Sequence, residues 1–139
     1  MRVSPPTVDL WLINHIRALA AAEGVDVDVS NKEPVKLRAP LARPLIIVRG
    51  DGATRADWTT FGCPIGASVL AGTRMFDTPA IELATWLAGI LFDDALPQVE
   101  GSPIASVVWD GCNGPYPVDD EHDVSRQYIT AQYVATGSW

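Results

Sequence analysis

One segment restricts the fold more than any other. Thr78 to Phe92 reads as a helix that is apolar almost all the way round. Thr78 is a hydroxyl N-cap candidate, and Pro79 follows where its missing N–H costs nothing. At about 100° per residue, Ala80, Leu83, Ala84, Leu87, Ile90 and Leu91 form one stripe, flanked by Trp86. Ile81, Ala88 and Phe92 form a second stripe, which leaves Glu82, Thr85, Gly89 and Asp93 in a narrow polar arc. A surface helix of a small domain buries one stripe of roughly 100°. This helix offers about twice that, so it is expected to touch something besides its own sheet. Another subunit is the expected second contact, through Ile81, Trp86, Ala88 and Phe92.

The rest of the chain supports a single domain over residues 1–139. Its 47% hydrophobic content and five tryptophans suit a packed core and exclude a disordered tail. Met1 to Leu10 has no apolar run of the secretory kind, and no stretch approaches the ~18 apolar residues of a membrane span. Cys63 and Cys112 stand far apart with no metal-ligand spacing around them, and are read as reduced thiols in strands.

A net charge of −7 argues against a general nucleic-acid binder, which needs a cationic footprint. The charges are also segregated. Lys32, Lys36, Arg38, Arg43, Arg49 and Arg55 lie in one early segment, whereas Asp93 to Asp123 contains no Lys or Arg. That acidic stretch carries Asp93, Asp94, Glu100, Asp110, Asp119, Asp120, Glu121 and Asp123. Two solvated faces would explain the pattern, and so would complementary surfaces on neighbouring copies. The second reading predicts Arg38, Arg43, Arg49 and Arg55 opposite Asp119, Asp120 and Glu121 across a contact.

Along the chain, Val8 to Glu23 is an amphipathic helix, with Thr7 as its cap and Gly24 at its left-handed end. Val25 to Val29 alternates strictly, which is a half-buried strand and accounts for Asp26 and Asp28 sharing a face. After a Pro-interrupted loop, Leu45-Ile46-Ile47-Val48 is a strand buried on both faces, ended by the turn residues Arg49 to Gly52. Trp58 to Arg74 is a strand region in which Gly62, Pro64 and Gly66 predict a bulge or an edge position. Ile104 to Trp109 and Arg126 to Thr136 are two further strands. Gly111 to Asp123 between them reads as a long acidic loop, mobile until docked. The predicted fold is α+β, a mixed or antiparallel sheet with two main helices packed on one face.

Nothing assembles a reaction. His15 flanks an apolar helical stripe, and His122 is a single imidazole among loop acids. Gly50-Asp51-Gly52 lacks both the spacing and the lysine of a phosphate loop. Asp119 and Asp120 have no complementary acid or nucleophile nearby in sequence. The chain is therefore read as a non-enzyme without cofactor or metal.

The order and texture of these segments resemble the tail terminator proteins of long-tailed bacteriophages, especially those with non-contractile tails. The resemblance rests on the helix ending at Glu23-Gly24 and on Arg43-Pro44-Leu45-Ile46-Ile47-Val48-Arg49 running into a Gly/Asp turn. It rests also on the helix Pro79-Ala80-Ile81-Glu82-Leu83-Ala84, and on Gly114-Pro115 with Asp119-Asp120 ahead of the C-terminal strand. The resemblance implies a subunit of a hexameric ring in the virion. Such a ring caps the tail tube, stops its polymerisation and offers a surface to a head-side neck protein. DNA then passes through its lumen without specific binding, and no membrane is involved. A head-completion or neck protein of the same assembly is the alternative within this class. A small cytosolic α+β enzyme or ligand-binding protein is the alternative outside it.

Overall fold

The computed structural model describes residues 1–139. Helix α1 spans Val8–Glu23 and α2 spans Thr78–Leu91. The strands are β1 (Asp28–Ser30), β2 (Leu45–Gly50), β3 (Thr54–Arg55), β4 (Thr60–Ala71), β5 (Ile104–Val107), β6 (Asn113–Val118) and β7 (Ser125–Thr136). One-turn 3₁₀ segments occupy Leu96–Gln98 and Trp109–Gly111. All seven strands form one mixed sheet in the order β1-β2-β4-β7-β5, with β3 also beside β4 and β6 also beside β7. Only the β1–β2 pair is parallel. The predicted α+β class and mixed sheet are therefore observed.

Both helices lie on one face. α1 packs on β1 and β2, and α2 on β4 and β7. The core between them is built by strand alternation: Ile46 and Val48 of β2, Ile65, Ala67 and Val69 of β4, and Ile129, Ala131 and Tyr133 of β7. Buried Tyr133 donates its hydroxyl to the Leu91 carbonyl at 2.6 Å, tying the last turn of α2 to the sheet. α1 ends as expected, with Gly24 at φ 69°. α2 starts one residue earlier than the capping pattern suggested. Asp77 takes the cap position, which moves Thr78 inside the first turn.

Two sequence expectations fail here. Thr60–Ala71 is neither bulged nor at an edge. It is the central strand, paired with β7 over twelve residues without a shift. Pro64 is tolerated because its carbonyl points to the Asp51 N–H at 3.0 Å, between the end of the β3 ladder at Gly62 and the start of the β2 ladder at Ile65. No neighbouring strand asks for the N–H that proline lacks. Gly66 serves a close approach: a Cβ there would stand 2.1 Å from the Tyr128 hydroxyl, so the ring lies across bare backbone. The second failure is the supposed loop Gly111–Asp123. Asn113–Val118 of that stretch is β6, laddered to β7 with one register shift. Pro115 and Pro117 misled the reading, since an edge strand accommodates residues without an N–H.

The opposite sheet face has no helix. Leu45, Ile47 and Leu70 point that way and form a small second core with Val124, closed by Leu37 and Leu41. Residues 31–43 thus cross the sheet as a strap, and they make no main-chain to main-chain hydrogen bond.

Candidate assembly surfaces

The second apolar stripe of α2 is largely used within the chain. Ala88 is buried in the main core, so it is not an exposed contact residue as the sequence suggested. Trp86 and Phe92 are half-buried against the same core. Trp86 also donates its indole N–H to Glu23 at the end of α1, at 3.3 Å. That hydrogen bond links the C-terminal end of α1 to α2, while α2 itself packs on β4, β6 and β7. Ile81 remains exposed, at 43%, beside exposed Glu82, Thr85 and Gly89. Further along the helix layer, His15 stacks on Trp11 with ring centroids 5.0 Å apart. Burial lowers the pKa of His15, partly opposed by the nearby Asp93 carboxylate.

The predicted charge partners divide into two groups. Arg43 is already paired inside the chain, with Asp26 and Asp28 at 2.6 Å each. Asp120 is likewise engaged: its side chain is only 6% exposed and accepts from Arg126 Nε at 2.8 Å. Neither is a free group for a partner, because period-2 alternation and the hairpin geometry bring local counter-charges first. Arg55 donates to the carbonyls of Asp57 and Trp58, within its own hairpin. Arg38, Arg49, Asp119 and Glu121 are exposed and make no ion pair.

The sequence did not reveal that Arg126 is the hub of a network. It bridges Asp120 in the β6–β7 turn and Glu33 in the strap. Burial disfavours the Asp120 carboxylate. Hydrogen bonds from the His122 main chain, Arg126 and the His122 ring outweigh that and hold its pKa down, to about 2. Arg74, after β4, donates through its main-chain N–H to Asp123 and through its guanidinium to the His122 and Asp120 carbonyls. Three chain segments are clipped together at this end of the sheet. The spacing of Asp120 and Arg126 around a turn was the available signal, but an unrecognised β6 concealed the hairpin that joins them.

Beside the clip lies an open cleft of about 460 Å³, lined by Arg74, Asp77, Asp119, Asp120, Arg126 and Gln127 among others. Of its ionic groups only Asp120 and Arg126 pair with each other, Arg74 bonds Asp123 and the main-chain carbonyls of the turn, and Asp77 and Asp119 make no ion pair. No three His, Cys, Asp or Glu side chains come together as a metal-binding group. Both cysteines are free thiols, and burial raises the pKa of Cys63. No helix is long and apolar enough to cross a membrane.

The exposed large apolar side chains were also missed. Trp58 is 79% exposed in the hairpin before β4, and Trp139 follows Gly137, whose N–H bonds the Thr59 carbonyl. Met75 and Phe76 are exposed beyond the other end of β4. Trp109 is exposed between β5 and β6. The chain matches no known family model and no curated protein.

Proposed function

We propose that the chain is a ring-forming structural subunit at the head-proximal end of a phage tail, where it caps the tube and receives a neck protein. The observation that carries this reading is the placement of exposed apolar groups at both ends of the β4–β7 pair. Trp58 and Trp139 lie at one end, and Met75 and Phe76 at the other. A twelve-residue strand separates the ends by roughly 40 Å. Exposed apolar groups collected at two remote positions mark two docking surfaces. A terminator ring needs that arrangement, with tube on one side and neck on the other. The open, strap-covered sheet face and exposed Ile81 leave further surface for contact between copies.

Sedimentation velocity with native mass measurement tests the ring: a hexamer is expected. Adding the purified chain to polymerising tail-tube protein of its own virus should then arrest tube growth. A chain that stays monomeric at every concentration refutes the reading. A stable ring that leaves tube growth untouched points instead to a neck or head-completion protein.

A further inference from the structure

Two unlike patches lie on opposite broad faces of the sheet. The strap, residues 31–43, covers the face without helices, held there by Leu37 and Leu41 over Leu45, Ile47, Leu70 and Val124. It exposes Lys32, Lys36 and Arg38, none of which makes an ion pair, and between them Val35 is fully exposed. Its one acidic residue, Glu33, is neutralised by Arg126. The outer arc of α2 on the other face shows the reverse pattern. There Ile81 is exposed beside Glu82, with Asp93 and Asp94 just past the helix, and none of these acids has a cationic partner. One patch is an apolar residue set among free cations. The other is an apolar residue beside one free anion, with two more about three turns away past the end of the helix.

We infer that the strap of one copy docks on the outer face of α2 of a second copy, Lys36 and Arg38 meeting Glu82 and Asp94, and Val35 meeting Ile81. The inference deepens the ring reading above and rests on it. Each copy carries both halves of the contact, so a second copy of this chain is the occupant that needs no further assumption. Because the halves lie on opposite faces of one sheet, the contact cannot be isologous. It is head-to-tail, the kind that propagates and closes into a ring when the rotation between copies allows. The strap suits this role mechanically. Lacking main-chain to main-chain hydrogen bonds, it can adjust its path to a neighbour without breaking a ladder. The structure also redirects the acidic partner. Asp120 belongs to the clip that holds the strap in its own subunit, whereas the α2 acids lie across the sheet from it.

The test uses two charge-reversed forms of the full chain, K36E/R38E and E82K/D94K, alone and mixed. In either form alone, like charges oppose each other at every contact, and the dissociation constant should rise at least about tenfold. In an equimolar mixture each reversed strap meets a reversed helix face and each native strap a native one, so assembly returns with alternating copies. Recovery in the mixture also shows that both forms are folded. If either form alone assembles like the parent, or if the mixture stays dissociated, the docking mode is wrong while the ring reading stands. If the parent itself never associates, both fail.

Discussion

Replacing Arg126 by Met keeps the aliphatic bulk of the side chain and removes the hub of the clip. Asp120 then loses its guanidinium while remaining almost fully covered, with a side chain 6% exposed. A hydrogen bond to a charged group contributes about 1.5–3 kcal/mol, and the lower end applies to a turn at the molecular surface. Glu33 is half exposed, so its pairing with Arg126 adds less than about 1 kcal/mol. The total loss is about 1.5–2.5 kcal/mol. At an unfolding entropy of ~2.1 cal/mol/K per residue, this lowers Tm by roughly 5–9 °C. Urea unfolding followed by tryptophan fluorescence measures the same loss through the midpoint at constant slope. A second substitution, Glu33→Gln, isolates the strap. Global stability should fall by less than about 1 kcal/mol, yet trypsin should cut at Lys32, Lys36 and Arg38 up to about fivefold faster. That factor follows because opening the strap costs about 1 kcal/mol less. An unchanged midpoint for Arg126→Met, or parental cleavage in Glu33→Gln, would show that the clip holds nothing in place.

Tyr133→Phe should cost about 1–2 kcal/mol in urea unfolding, because the Leu91 carbonyl loses its buried donor; a neutral result would mean that water replaces the hydroxyl. Asp120 should add stability that is complete above about pH 5. Its folded pKa of about 2 lies below the ordinary 3.8, so the unfolded chain binds the proton first and the contribution disappears as pH falls through that interval. After allowance for solvent screening the effect is about 1 kcal/mol, and Asp120→Asn should flatten this part of the acid limb of a stability–pH curve. Gly72→Ala should destabilise by ~2 kcal/mol or more, since φ is +64° and the new Cβ would stand 2.4 Å from the Phe76 carbonyl; an unchanged Tm would mean that the turn relaxes freely. With a thiol reagent, native protein should label Cys112 long before buried Cys63, and equal rates would contradict the packing of β4.

What the sequence made legible was periodicity. Both helices, the buried run Leu45–Val48 and the final strand Arg126–Thr136 are local signals, and each element stands close to where the sequence put it. The errors came where a non-local partner overrides local chemistry. Pro64 reads as a strand breaker until the gap between β2 and β3 is known, and Gly66 as a weak point until Tyr128 is known to lie over it. Pro115 and Pro117 similarly hide a strand whose ladder depends on β7. The surface of α2 was overestimated because sequence alone does not show that Ala88 enters the core, that Phe92 packs on it, or that Trp86 reaches Glu23 at the end of α1. Ionic groups are the least legible of all. Arg43 and Asp120 were expected to await a partner, yet each finds one within its own chain, Arg43 in Asp26 and Asp28 and Asp120 across a turn in Arg126.

The β4–β7 ladder carries a kinetic consequence. It joins Ala71 to Ser125 at its near end and Thr60 to Thr136 at its far end, so its closest register pair still spans α2 and two strands of intervening chain. β7 occupies the middle of the sheet, between β4 and the strands β5 and β6, and of its pairings only the β6–β7 hairpin is local. Local order in α1 and α2 therefore precedes the sheet's completion, and loop-closure entropy is spent before the central contacts offset it. Until β7 pairs with it, β4 exposes a long apolar edge to solvent. Concentrated nascent chains would meet one another through this edge, and brief dilution during refolding should raise the yield of native protein.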